Sequence, residues 1–261
     1  MSDQEESIES ISKPSFFWLM TEASRALFEF STFYPYKLLR GNESSGDGHS
    51  VLVLPGFMAT DRSTSPLRKF LIKLGYDAHG WENGRNYGSE VYIDLLLEKV
   101  VELFEESGEK ISIIGWSLGG VYARQIAKQR PDLIRQVITL GSPFRGIDMP
   151  NHAEWVYKFL TNGKSSKDID PLVLQDIPNP APVPTTAIYT KEDGVVPWQI
   201  CMEKQESSIH QNVQVRGSHF GLGVNPSVLA IIMDRLQYCE ENWQPFVPGT
   251  RIREFLFYPS V

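Results

Sequence analysis

Cysteine is scarce, with only Cys201 and Cys239 in 261 residues. Two thiols supply neither a disulfide framework nor the ligand spacing of a structural metal module, so both are expected as buried or partly buried free thiols. No uninterrupted apolar run reaches the ~20 residues needed to span a bilayer. Basic residues are outnumbered, 25 Lys and Arg against 32 Asp and Glu, and the formal charge of −7 excludes a general nucleic-acid partner. The five histidines are scattered with no H-x-x-x-H pair, so no metal site is expected. Neither a G-x-G-x-x-G turn nor a phosphate loop occurs, and no cofactor is expected. The opening residues, Met1-Ser2-Asp3-Gln4-Glu5-Glu6-Ser7, are acidic where a secretory signal would be basic, which points to a cytoplasmic location.

What is present fits one large α/β domain, for which this length provides a sufficient core. Residues 1–14 are polar, acidic and expected to be flexible. Residues 15–40 form an N-terminal segment with an amphipathic helix. Phe16, Leu19, Met20, Ala23, Leu27, Phe30 and Tyr34 recur at helical spacing, Thr21, Glu22, Arg25 and Glu29 fill the remaining positions, and Pro35 is expected to stop the helix. The plain expectation is a helix packed on its own domain. A peripheral membrane contact or a dimer through Phe16–Tyr34 is the sharper one, although the helix lacks a Lys/Arg-rich polar face.

After a Gly/Ser/Asp loop at 41–50, strands and helices alternate. Strands are expected at Val51–Leu54, Tyr76–Gly80, Ile111–Ile114, Val137–Leu140, Thr186–Tyr189 and Val213–Val215. Helices are expected at Pro66–Leu74, Glu90–Phe104, Val121–Lys128 and Pro226–Tyr238. Apolar strands alternating with helices imply a mostly parallel sheet covered on both faces. The interval 143–184 breaks the rhythm with a helical stretch at Ala153–Leu160, a polar loop and a proline cluster. It reads as a short insertion above the sheet, either a crossover connection or a lid.

The most informative stretch is Gly115-Trp116-Ser117-Leu118-Gly119, a G-x-S-x-G turn between a strand and a helix. Such a turn is strained and holds the serine hydroxyl outward. A serine is a poor nucleophile unless a base takes its proton and a third group orients that base. His219, in Gly217-Ser218-His219-Phe220-Gly221, follows a strand and is the leading base, with His152 as rival. Asp193, in Glu192-Asp193-Gly194-Val195, lies between nucleophile and base in sequence and is the leading acid, with Glu192 as alternative. Stabilising a developing oxyanion requires two backbone N–H groups. Leu118 offers one, and the Pro55-Gly56-Phe57-Met58 loop offers the other, Phe57 before Met58.

The motifs L-P-G-F, G-W-S-L-G-G, E-D-G-V-V-P-W and G-S-H-F-G-L resemble those of the α/β-hydrolase superfamily, in particular its bacterial serine esterases and lipase-like hydrolases. The resemblance covers roughly residues 51–238. It implies an α/β-hydrolase fold over 41–261 with a lid or cap insertion at about 143–184. It also implies Ser117, Asp193 and His219 as catalytic residues, and Phe57 and Leu118 as oxyanion donors. Pro55 and Trp116 stand where many lipases carry histidine. The implied activity is carboxylic ester hydrolysis through an acyl-enzyme, on a small-molecule ester or lipid-like substrate. An acyltransferase or thioesterase using the same residues, and a non-catalytic binding protein of this fold, are the alternatives.

Overall fold

The computed structural model describes residues 11–40, 46–145 and 175–247. Residues 1–10 of the acidic N-terminus lie outside the described residues. So does 146–174, which holds the expected Ala153–Leu160 helix and His152.

Six parallel strands form one sheet: β1 (Ser50–Leu54), β2 (Asp77–His79), β3 (Ile111–Trp116), β4 (Ile134–Leu140), β5 (Thr185–Tyr189) and β6 (His210–Gln214). Their spatial order is β2-β1-β3-β4-β5-β6. The helices are α1 (Phe16–Arg40), α2 (Asp61–Leu74), α3 (Val91–Ser107), α4 (Leu118–Gln129) and α5 (Pro226–Leu236). Every element expected among these residues is present, with ends shifted by a few positions. Alternation along the strands splits the core in two. Leu52, Leu54, Ile111 and Ile113 pack against α3 and α4. Val51, Val53, Ile114 and Ile138 pack against α2 and α5. Among the described residues no helix is long and apolar enough to cross a membrane.

Helix α1 departs from expectation twice. It does not stop at Pro35 but runs on to Arg40. An interior proline removes one ladder bond and costs about 3 kcal/mol. Apolar packing on both sides of the proline opposes that loss. Phe33 and Tyr36 both reach Phe70, with ring centroids 6.3 and 6.2 Å apart, and the Tyr36 hydroxyl lies 3.9 Å from Met233 Sδ. The helix is also turned around relative to an ordinary surface helix. Its buried residues are Glu22, Glu29 and Phe33, while Phe16, Phe17, Met20, Leu27, Phe28 and Tyr34 are exposed.

The residues that flank 146–174 are anchored on the α4 side. Phe144, Ile177, Ala181 and Val183 are buried in that core. The guanidinium of Arg124, fully buried on α4, stacks on the Phe144 ring at 3.8 Å, donates to the Asn179 carbonyl at 2.9 Å, and pairs with both oxygens of buried Glu203. Breaking such a pair leaves a buried charge unmatched. Arg124→Met should therefore lower the free energy of urea unfolding by about 3–5 kcal/mol. Arg124→Met/Glu203→Leu should recover most of the loss, and equal loss in both variants would remove the pair from this role.

Candidate active site

The carboxyl ends of parallel strands share one edge of the sheet, where catalytic groups of open α/β sheets collect. The structure brings three of the sequence-identified side chains together there. Ser117 stands between β3 and α4 with φ 53° and ψ −122°. A positive φ at a non-glycine residue stores strain of order 1–3 kcal/mol. The turn closes so tightly that a Cβ at Gly115 would lie 2.3 Å from Gly120 Cα, and one at Gly119 2.5 Å from the Leu54 carbonyl oxygen.

His219 begins a 3-10 turn, His219–Val224, beyond β6. Its Nε2 lies 3.1 Å from Ser117 Oγ and its Nδ1 2.6 Å from Asp193 Oδ2. The other Asp193 oxygen, Oδ1, accepts from the amides of Val195 and Val196 at 2.8 and 2.6 Å. Glu192 points away and accepts from the Gly217 amide at 3.2 Å. Of these two neighbours only Asp193 reaches the imidazole. Burial disfavours the imidazolium, but the Asp193 charge and hydrogen bond, with the Glu22 charge, outweigh it and raise the His219 pKa above the ordinary 6.5. Burial, with the charge of Asp193, holds the Cys201 thiol far above its ordinary value and hence protonated.

The other described histidines have local duties. His49 bridges Asp47 and Ser112, His79 meets Asp77, and His210 holds the Ala181 carbonyl and Ser207. A cavity of about 440 Å³ opens at the opposite, amino-terminal edge of the sheet. Ion pairs between Arg135 and Asp47 and between Lys110 and Glu240 line it, and it lies far from Ser117.

The loop after β1 lies against Ser117; a Cβ on Gly56 would stand 3.1 Å from the Ser117 Cβ. Met58, at φ 58°, sends its amide to the Asn86 carbonyl at 2.7 Å. That bond commits the Met58 N–H elsewhere. Leu118 is the first residue of α4, where backbone N–H groups and the helix dipole favour negative charge.

Several groups around the site escaped sequence reasoning. Asn86 is fully buried, donates to the Pro55 carbonyl at 3.0 Å, and accepts from the Gly88 amide and the Tyr122 hydroxyl. The loop containing it gave no signal of direction. The Trp116 indole donates to the His219 carbonyl at 3.1 Å, tying the elbow to the turn that carries His219. Glu22 and Glu29 carried a signal that was readable. Glu22, Arg25, Glu29 and Phe33 recur at helical spacing and form a stripe of their own beside the apolar one.

The fold is that of the α/β-hydrolases. The solved structure of the Paleococcus ferrophilus monoacylglycerol lipase superposes with a TM-score of 0.52, covering 74% of this chain and 96% of that one at 15% identity. In sequence, the chain is 29% identical over 101 residues to the pimeloyl-[acyl-carrier protein] methyl ester esterase of Aliivibrio salmonicida, 38% of either chain. It is 27% identical over 138 residues to the triacylglycerol lipase of Pseudarthrobacter phenanthrenivorans, 52% of this chain and 41% of that one. The chain thus spans about two-fifths of the length of the curated relatives it matches. No family model matches.

If Asn86 staples the β1 loop, Asn86→Ala deprives the Pro55 carbonyl and Gly88 amide of their partner. Urea unfolding should show a loss of about 1–3 kcal/mol. An unchanged midpoint would deny it that role.

Proposed function

We propose that the protein is a serine hydrolase that cleaves carboxylic esters through an acyl-enzyme. The observation that carries this reading is the buried chain of contacts from Ser117 through His219 to Asp193. His219 Nε2 takes the Ser117 proton as Oγ attacks the ester carbonyl, and Asp193 holds Nδ1–H and supports the imidazolium. The oxyanion is received by the amides of Leu118 and Phe57. His219 then protonates the leaving alcohol, the ester C–O bond breaks, and water repeats the steps on the acyl-serine, releasing the acid. The names of the sequence relatives favour esters of an acyl chain, a lipid-like class, as substrate.

Ser117→Ala should fold as the parent does, lose labelling by a serine-directed fluorophosphonate, and hydrolyse p-nitrophenyl esters about 10⁴-fold more slowly or worse. Parental turnover by that variant would overturn the assignment, and a parent that does not label would favour a binding protein. Product analysis with water, alcohol and thiol acceptors separates hydrolysis from acyl transfer.

The pH dependence follows from the raised His219 pKa. General-base catalysis needs the neutral imidazole, which is depleted as pH falls through that pKa. The acid limb of kcat/KM should therefore lie on the alkaline side of the ordinary imidazole value. Asp193→Asn should move it to lower pH and reduce kcat about 10⁴-fold.

A further inference from the structure

The 3-10 turn that carries His219 has no regular element of its own to hold it, and its backbone donors must find acceptors. They find them on α1, about 190 residues earlier in the chain. Glu22, 2% exposed, accepts from the amides of Gly194, His219 and Phe220 at 2.9, 3.2 and 3.2 Å. Glu29, 7% exposed, accepts from the Ser218 amide and hydroxyl at 2.9 and 2.5 Å and from Asn225 at 2.9 Å. Arg25 lies between them, bonded to Glu22 and donating to the carbonyls of Glu192 and Gly217 at 3.0 Å each. One face of one helix thus binds the backbone of the acid-bearing loop and of the base-bearing turn.

The glycines of those loops are shaped to the helix. A Cβ on Gly194 would stand 2.4 Å from the Leu19 amide nitrogen, and one on Gly221 would overlap Glu29 Oε2. This stripe also explains the inverted orientation of α1, since three charged side chains are turned inward and apolar ones outward. Burying carboxylates is costly unless each is fully hydrogen-bonded, and here, apart from the Arg25–Glu22 pair, the bonds go to the loops around His219. Burial pushes the Glu29 carboxyl above its ordinary value despite its bonds to Ser218 and Asn225 and the charge of Arg25.

We propose that Glu22 and Glu29 are positioning residues of the active site, which fix the backbone around His219 and Asp193 so that the imidazole meets Ser117. Glu22 has a second effect, because its charge lies near enough to the imidazole to favour protonation. Among the described residues, the charged and titratable groups around that imidazole are Asp193 from the β5 loop, Glu22, Arg25 and Glu29 from α1, and Glu192 and Cys201 beyond Asp193.

The role rests on the hydrolase reading for its kinetic consequence but not for its direct readout. His219 can be titrated by NMR without substrate in the parent, in Glu22→Gln and, as a surface control, in Glu98→Gln. Glu22→Gln should lower the His219 pKa, move the acid limb of kcat/KM to lower pH, and reduce kcat about tenfold with little change in KM. Glu22→Asp keeps the charge but shortens the reach; it should leave the acid limb in place and still lower kcat. Glu98→Gln should match the parent in both readouts. An unchanged His219 titration and kcat in Glu22→Gln would overturn the proposal. Should that variant not fold, parental kcat in Glu22→Asp would do so. A parent inert toward esters and fluorophosphonate, with the titration still displaced in Glu22→Gln, would overturn the hydrolase reading and leave the positioning role standing.

Discussion

A wholly enclosed imidazole must find partners for both ring nitrogens, and His219 finds them 26 and 102 residues back along the chain. Much of the surrounding architecture follows from that requirement. Asp193 and Ser117 leave the sheet on β5 and β3, with β4 standing between them. A histidine beyond β6 reaches both only if all three loops leave the same edge at matching heights. The parallel registers of β3 with β4, β4 with β5 and β5 with β6 provide those heights. A shift of one residue in any of them would turn each side chain of that strand to the other face.

The sheet sets where the loops emerge, and the helices set what the loops can do. On one face α3 and α4 complete an apolar core, and α4 also delivers its amino terminus to the serine. On the other face α2 and α5 do the same work. Helix α1 contributes Phe33 to that core but meets the domain mainly through carboxylates. It adds hydrogen-bond acceptors where two loops and a short 3-10 turn have donors to satisfy. Phe16, Phe17, Met20, Leu27, Phe28 and Tyr34 face away from the domain.

The strand and helix sequence was readable because short, mostly apolar runs alternate with helical periodicity from Val51 onward. The elbow was readable because the turn itself demands glycines around a serine. Element ends were less so. β2 and α5 are shorter than expected and α2 begins five residues earlier, at Asp61, with Thr60 capping it through its side chain. The His219 region was readable from its position after a strand. The loop containing Asn86 was not, since its side chains gave no pattern that told inward from outward.

Sequence alone determined the kind of sheet, the serine at the elbow and the chain order Ser117, Asp193, His219, because these depend on local periodicity and turn chemistry. Tertiary structure decided which of two adjacent acids meets the histidine. Glu192 and Asp193 share one loop, and only the path of the backbone there sends Asp193 inward and Glu192 toward Gly217. It also decided that α1 passes through Pro35 and turns its charged stripe inward. A helix with two stripes carries no local sign of which will be buried. That depends on what the neighbouring surface lacks, and here the neighbouring surface, the backbone of the loops around His219, lacked acceptors.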